Sequence, residues 1–162
     1  MNFHYIQRVR ANRLKWADKM VTRRIQKGVV FTIPKLCPTW KQGWRVIGGQ
    51  RNYYRSKWEA NYARILGFQR RHGLIHSWRH EPKTFWFEEI RRGVRSYLPD
   101  FEVVYPDGRL EYHEVKGWYD SKSKTKTKRM AKYYPDVKLR MVFQREYRTL
   151  AKQLAPLITD WE

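Results

Sequence analysis

Two carboxylates and an amine in one predicted β-hairpin are the side chains of this sequence best placed to do chemistry. Asp100 precedes an apolar strand, and Glu114 and Lys116 lie on the next strand, beyond the turn sequence YPDGR at residues 105–109. Proline, aspartate and glycine in this order predict a type I turn with a glycine bulge, which pairs residue 105 with residue 109. Counting back from that pair places Asp100 opposite Glu114, with Cβ atoms about 4.5–5.5 Å apart. Lys116 shares the face of Glu114, because side chains alternate along a strand.

Opposed carboxylates repel each other unless a cation lies between them. A divalent metal such as Mg²⁺ is the obvious candidate, since it prefers carboxylate oxygen and retains several waters. Lys116 would then orient an attacking water or help to deprotonate it. The alternative is a surface hairpin whose charges are simply solvated.

The sequence Pro99-Asp100, followed by Glu114-Val115-Lys116, resembles the signature of the PD-(D/E)xK nuclease superfamily. The resemblance implies an endonuclease that uses Mg²⁺, with Mn²⁺ able to substitute, and that leaves a 5′-phosphate. It also implies that Asp100 and Glu114 hold the metal together with the Val115 carbonyl. Lys116 would position and activate the attacking water.

A predicted helix before the hairpin supplies a further acidic residue. Residues 56–73, SKWEANYARILGFQRRHG, place apolar side chains on one helical face, and Gly73 ends the pattern. Glu59 follows Ser56 at the spacing of a capping box. The resemblance instead implies a catalytic glutamate on this helix, directed at the metal, and both roles for Glu59 stay open.

The charge of the chain indicates a polyanionic partner. Its 162 residues suit one domain with an extension, and 35 Lys and Arg against 15 Asp and Glu give a formal net charge of +20. DNA is the leading partner because Lys and Arg contacts to phosphate dominate such affinity, and an anionic membrane surface is the alternative. An aromatic content of 16% argues against a disordered basic tail. No apolar run is long enough to span a bilayer and no signal-peptide pattern opens the sequence, so no membrane partner is expected.

Cys37 is the single cysteine of the sequence, which excludes an internal disulfide and a multi-cysteine zinc site. A reduced setting is therefore permitted. We expect the cytoplasm, that of the host cell if the protein is phage-encoded.

Residues 1–50 form a predicted basic N-terminal arm or extension. Apolar residues at helical spacing within residues 1–27 predict a basic helix. That helix either lies on DNA, is exchanged with a second subunit, or is solvated and docked by its apolar stripe. An edge strand is expected at residues 29–33. Trp40 and Trp44 are able to stack on unpaired bases, but we favour the interpretation that they cover a small core.

The segment after the hairpin is strongly basic and enters a helix, with Ser121 or Ser123 as its predicted N-cap. A helix N-terminus flanked by lysines suits phosphate groups, although a solvated charged face has the same composition. The expected nucleic-acid contacts, in this segment and beside the first helix, are Arg55, Lys57, Lys122, Lys124, Lys126, Lys128 and Arg129.

The predicted fold is α/β, a mixed β-sheet core in the order α-β-β-β-α-β that is flanked by helices. Beside the hairpin, strands are expected at residues 83–88, 90–97 and 137–143. The last of them is expected to pair in parallel. The histidines between residues 72 and 80 are expected in loops or on the surface. The nuclease core spans residues 51–145, and a closing helix within residues 146–162 packs on it, shortened or kinked by Pro156.

The predicted function is a metal-dependent DNA endonuclease that hydrolyses phosphodiester bonds in Holliday junctions or other branched DNA. Residues 54–135 are similar to small phage-encoded nucleases, including archaeal-type Holliday-junction resolvases. A homodimer is expected, since resolving a junction takes two symmetric cuts, and no small-molecule substrate is expected. Alternatives are a nicking, restriction-like or transposon-end nuclease on the same core, and a non-catalytic DNA-binding protein. A ribosome-associated basic protein would explain the charge but not the clustered carboxylates and lysine.

Overall fold

The computed structural model of the protein describes residues 42–162, which form an α/β fold. In chain order its strands are β1 (Gly43–Ile47), β2 (Gln50–Tyr54), β3 (Ser77–His80), β4 (Phe85–Trp86), β5 (Ser96–Tyr97), β6 (Phe101–Val104), β7 (Leu110–Lys116) and β8 (Leu139–Phe143). Its helices are α1 (Lys57–Arg71), α2 (Ser121–Tyr133) and α3 (Gln144–Leu154), with a 3-10 turn at Ala155–Leu157. None of the helices in this part of the chain combines the length and the apolar character that crossing a bilayer requires.

A mixed four-stranded sheet, in the order β3-β6-β7-β8, lies between two apolar layers. Alternation along β6 and β7 sends Phe101 and Val115 to one side, where they share a core with α1 and α3. Tyr112 belongs to a second cluster, with Phe85 of β4 and Tyr97 of β5. Because the central strands are covered on both faces, polar groups within them need partners inside the protein.

The predicted turn between β6 and β7 is confirmed. The Tyr105 amide donates to the Arg109 carbonyl at 2.9 Å, and the Gly108 amide donates to the Tyr105 carbonyl at 3.0 Å. Gly108 has a φ of 82°, a left-handed conformation that glycine adopts without strain. The last strand, β8, pairs in parallel with β7, as predicted, and α2 connects the two.

The predicted strands at residues 83–88 and 90–97 are wrong in extent and in place. Only β4 and β5 are extended there, and they form a separate two-stranded sheet. The central sheet instead takes β3, which pairs antiparallel with β6 and includes His80. Glu81 then has a φ of 45° and Pro82 follows it, so the chain leaves the sheet at this point.

The β1–β2 hairpin is a second difference, because no strand is predicted for residues 43–54. Its strands pair across Gly48 and Gly49, both of which have positive φ. Ile47 and Tyr54 are buried in the core shared with α1, so the hairpin extends across the predicted boundary at residue 50. Trp44 is 58% exposed, and the prediction that it covers a small core is therefore wrong.

One helix end differs from the prediction and another agrees with it. The N-cap of α2 is Asp120, whose side chain accepts from the Ser123 amide at 2.7 Å, rather than Ser121 or Ser123 itself. The closing helix, α3, ends before Pro156, which lies in the 3-10 turn and shortens the helix as predicted. Several predictions lie outside the described residues, namely the helix within 1–27, the strand at 29–33, Cys37 and Trp40.

Glu162 joins the β1–β2 hairpin to α1. Its carboxylate accepts hydrogen bonds from Arg45 Nε at 2.6 Å, Arg45 Nη2 at 2.7 Å and Arg64 Nη2 at 2.7 Å. The Asn61 side chain donates to the Glu162 carbonyl at 2.8 Å and accepts from its amide at 3.1 Å. The hydrogen bonds from Arg45, opposed in part by burial and reinforced by Arg64, lower the pKa of Glu162 to about 2.

Glu162→Gln is expected to lower the free energy of unfolding at neutral pH by about 1–3 kcal/mol, because two buried guanidinium groups lose a charged acceptor. The folded-state pKa lies below the ordinary glutamate value of 4.5, so this stabilisation is present above that value and is lost as the pH falls toward 2. Urea unfolding between neutral pH and about pH 3 is expected to show the difference shrinking. Asp160→Asn, at a side chain that is 58% exposed and contacts Arg64, is the control with a smaller loss. Equal stability of Glu162→Gln and the parent protein at neutral pH would contradict the prediction.

Candidate active site

The register of the β6–β7 ladder brings Asp100 next to Glu114. Phe101 pairs with His113, so the adjoining position places Asp100 opposite Glu114, as predicted. Both acidic residues are buried, with exposed fractions of 5% for Asp100 and 3% for Glu114. Asp100 Oδ2 accepts a hydrogen bond from the Val115 amide at 2.8 Å, which holds the carboxylate against β7.

Both oxygens of the Glu114 carboxylate have partners. Lys116 Nζ lies 2.9 Å from Oε1, which confirms that the two side chains share a face. Tyr97 donates its hydroxyl hydrogen to Oε2 at 2.9 Å. Burial and the charge of Glu114 raise the pKa of Tyr97, so this residue stays a neutral donor. Tyr97 is absent from the sequence prediction, because no pattern of residue types distinguishes it from the other tyrosines nearby.

Glu59 lies in the first turn of α1 and contributes to the helix cap. Ser56 is the N-cap, and its Oγ accepts from the Glu59 amide at 3.1 Å. The Glu59 carboxylate accepts from the Arg55 amide at 2.8 Å, rather than from the Ser56 amide of the expected capping box. The same carboxylate is buried, and its charge contributes to raising the pKa of Asp100. Glu59 therefore belongs both to the helix cap and to the group of buried carboxylates that includes Asp100.

Negative charge dominates the electrostatics of the carboxylate cluster, which we define as Glu59, Asp100 and Glu114. Burial, together with the charges of Glu114 and Glu59, raises the pKa of Asp100, and burial likewise raises the pKa of Glu59. Burial alone would lower the pKa of Lys116, but the ion pair with Glu114 holds it above its ordinary value. Lys116 is therefore an ammonium group at neutral pH. An ammonium group donates hydrogen bonds and accepts none, so it is suited to orienting a water rather than deprotonating it.

The oxygen atoms of the carboxylate cluster suit a hard divalent cation that few side chains hold. Among residues 42–162, no three His, Cys, Asp or Glu side chains are grouped as a metal site. Glu59, Asp100 and Glu114 are nevertheless all buried, and the charges of all three help to raise the pKa of Lys116, so the cluster has an excess of negative charge that a divalent ion would offset. Mg²⁺ binds through one or two carboxylates and keeps several waters, so Asp100, Glu114 and the Val115 carbonyl fit it. A ligand role for Glu59 stays a prediction.

The basic helix α2 lies beside the carboxylate cluster. Lys122, Lys124 and Lys128 are exposed on this helix. Lys126 lies over the Tyr97 ring, with Nζ 5.6 Å from the ring centroid. Tyr97 in turn donates to Glu114, so the Tyr97 side chain contacts both α2 and the carboxylate cluster.

The other predicted nucleic-acid contacts already have partners within the protein or are partly covered. Arg55 forms an ion pair with Glu81, and Arg129 donates to the Val94 carbonyl. Lys57 is half-buried at the first position of α1. Phosphate contacts by these three residues stay predictions.

Comparison with family models matches residues 44–149 to the family described as Protein of unknown function (DUF1064). The matched range begins in β1 and ends in α3, so it contains the whole central sheet and the carboxylate cluster. No curated protein and no solved structure matches the chain.

Proposed function

The chain belongs to the DUF1064 family, whose description assigns no activity, and we propose one from the carboxylate cluster. The proposed activity is metal-dependent hydrolysis of phosphodiester bonds in DNA by an endonuclease of the PD-(D/E)xK type. The observation that carries the proposal is the buried, opposed pair Asp100 and Glu114, with Lys116 Nζ 2.9 Å from Glu114. Buried like charges cost stability, and carboxylates with perturbed pKa values are concentrated at functional sites.

Asp100, Glu114 and the Val115 carbonyl would hold Mg²⁺, and Mn²⁺ has a similar preference for oxygen ligands. When bound, the ion would stabilise negative charge on the phosphate and make a water more acidic. Lys116, kept protonated by Glu114, donates a hydrogen bond that orients the attacking water. Tyr97 holds the second oxygen of Glu114 and so fixes the plane of that carboxylate.

DNA as the substrate is supported by the charge around the carboxylate cluster. The formal net charge of the chain is +20, and α2 carries four exposed lysines, Lys122, Lys124, Lys128 and Lys132. Lys126 contacts Tyr97, which in turn contacts Glu114. A phosphate backbone that follows α2 would therefore pass the carboxylates, with the lysines positioning it.

A homodimer that makes two symmetric cuts in a Holliday junction is the finer form of the proposal. Its support is the resemblance noted in the sequence of residues 54–135, to which the comparisons with curated proteins and solved structures add no match. A four-way junction, a fork and a linear duplex of matched sequence, each incubated with Mg²⁺ and with EDTA, test both levels of the proposal. We expect cleavage that requires the metal, is fastest on the four-way junction and is paired across it.

Lys116→Gln is the variant that ties this cleavage to the carboxylate cluster. It is expected to bind the three DNAs with little change and to cut them at least about 10²-fold more slowly, because it removes a charged donor. Undiminished cutting by Lys116→Gln would overturn the nuclease proposal. Equal cutting of all three DNAs by the parent protein would overturn the finer form and favour a nicking or restriction-like enzyme.

A further inference from the structure

The outward face of the β1–β2 hairpin carries two aromatic rings, a valine and an arginine. Register places Trp44 opposite Tyr53 and Val46 opposite Arg51. Trp44, Val46 and Tyr53 are 58%, 67% and 40% exposed, and Arg51 is exposed as well. We call these four residues the hairpin face.

The side chains of the hairpin face are arranged around Trp44. The guanidinium carbon of Arg51 lies 5.0 Å from the centroid of the Trp44 ring. Tyr53 meets Trp44 edge to face, with 5.6 Å between ring centroids and 72° between the ring planes. Such contacts orient the rings and place a positive charge among them. The hairpin sequence, residues 43–54, contains no acidic residue.

The hairpin face adjoins the carboxylate cluster through β2. Arg55 lies two positions beyond Tyr53, a distance of about 7 Å along an extended chain. The Arg55 amide donates to the Glu59 carboxylate at 2.8 Å. A nucleic-acid strand that is bound at the carboxylate cluster therefore has the hairpin face within reach.

We propose that the hairpin face is a stacking platform for unpaired bases of single-stranded DNA that flanks the cleaved bond, a proposal that rests on the proposed function for its choice of ligand. Aromatic rings stack on every base, and arginine supplies both a cation for phosphate and a second stacking plane. The hairpin itself favours this occupant over a second copy, because it contains no acidic residue and carries Arg51 beside Trp44, so two such faces brought together would place like charges against each other. The substrate of the nuclease would then present unpaired bases next to duplex, as a four-way junction does where base pairs open at its branch point.

Binding of a short oligothymidylate and of a duplex of equal length, measured by fluorescence anisotropy in EDTA, tests the platform without requiring cleavage. The double variant Trp44→Ala and Tyr53→Ala is expected to lose about tenfold or more in affinity for the single strand and less than about twofold for the duplex. Trp86→Ala is the matched control, because Trp86 is 57% exposed but lies on β4, in a different sheet from the hairpin. That control is expected to change neither affinity by more than about twofold.

Salt dependence separates stacking from charge. Trp44→Ala is expected to leave the dependence of affinity on salt unchanged, because the ring is neutral. Arg51→Gln is expected to reduce the slope of log affinity against log salt by about 0.7, the value for one phosphate on a single strand.

Three outcomes would overturn the platform: equal losses for single strand and duplex, an equal loss in Trp86→Ala, or an oligomeric state that changes when Trp44 is replaced. Because these measurements contain no metal, they stand apart from cleavage. If the double variant loses single-strand binding and the parent protein does not cut DNA, the proposed nuclease is refuted and the platform is supported. If the parent protein cuts DNA with metal and the double variant binds the single strand unchanged, the nuclease is supported and the platform is refuted.

Discussion

Asp100→Asn is expected to abolish DNA cleavage and, at the same time, to raise the melting temperature of the metal-free protein. Cleavage should fall by about 10³-fold or more, since a metal-holding carboxylate is lost from the centre of the site. Stability should rise by about 0.5–2 kcal/mol, because one of three mutually repelling buried carboxylates becomes neutral. The amide oxygen of asparagine can still accept the hydrogen bond from Val115, so the backbone contact is kept.

Thermal unfolding with and without Mg²⁺ measures the second half of this prediction. Mg²⁺ should stabilise the parent protein by mass action, by about 2.7 kcal/mol at a concentration 100 times the dissociation constant, and so raise its melting temperature. The melting temperature of Asp100→Asn should not change when Mg²⁺ is added. Asp136→Asn, at an exposed position beyond α2, is the control that should alter neither cleavage nor stability. A lower melting temperature for metal-free Asp100→Asn would mean that the carboxylate is there to hold the hairpin together.

Glu59→Gln is expected to lose most of its cleavage activity while melting close to the parent protein. Glutamine keeps an oxygen that accepts from the Arg55 amide, so most of the cap at the start of α1 survives. The substitution removes the negative charge that Glu59 adds to the cluster, and burial already disfavours that charge, since it raises the pKa of Glu59. A group that supports a metal site in this way typically contributes about 10–100-fold to the rate.

Ser56→Ala is the matched control for Glu59→Gln, because it removes the cap and keeps the charge. In the parent protein, Ser56 Oγ accepts a hydrogen bond from the Glu59 amide at 3.1 Å. Because the variant loses this bond, we expect a loss of about 0.5–2 kcal/mol in stability with cleavage nearly intact. Single-turnover cleavage at saturating Mg²⁺ and thermal unfolding of both variants give the comparison. If Glu59→Gln cleaves DNA at the rate of the parent protein, Glu59 contributes only to the helix cap.

The sequence by itself determined the hairpin and the carboxylates that it opposes, because the interactions responsible are local. Proline, aspartate and Gly108 select the turn, the turn sets the register, and the register places Asp100 opposite Glu114. The shared face of Glu114 and Lys116 follows from strand alternation in the same way. The start of α1 at Ser56 is also local, since an N-cap acts within a single turn.

Only the tertiary structure decided which distant residues complete the site and the sheet. The short sequence Ser77–His80 becomes a strand because β6 offers it a hydrogen-bonding edge and because Trp78 packs on Phe101, with ring centroids 6.0 Å apart. Tyr97 reaches Glu114 from another sheet, and Glu162 meets Arg45 across 117 positions of sequence. Strand propensity depends on the neighbours that a strand packs against, and a hydrogen bond between distant residues leaves no periodic pattern along the chain. These contacts therefore exist only once the helices and strands have packed together.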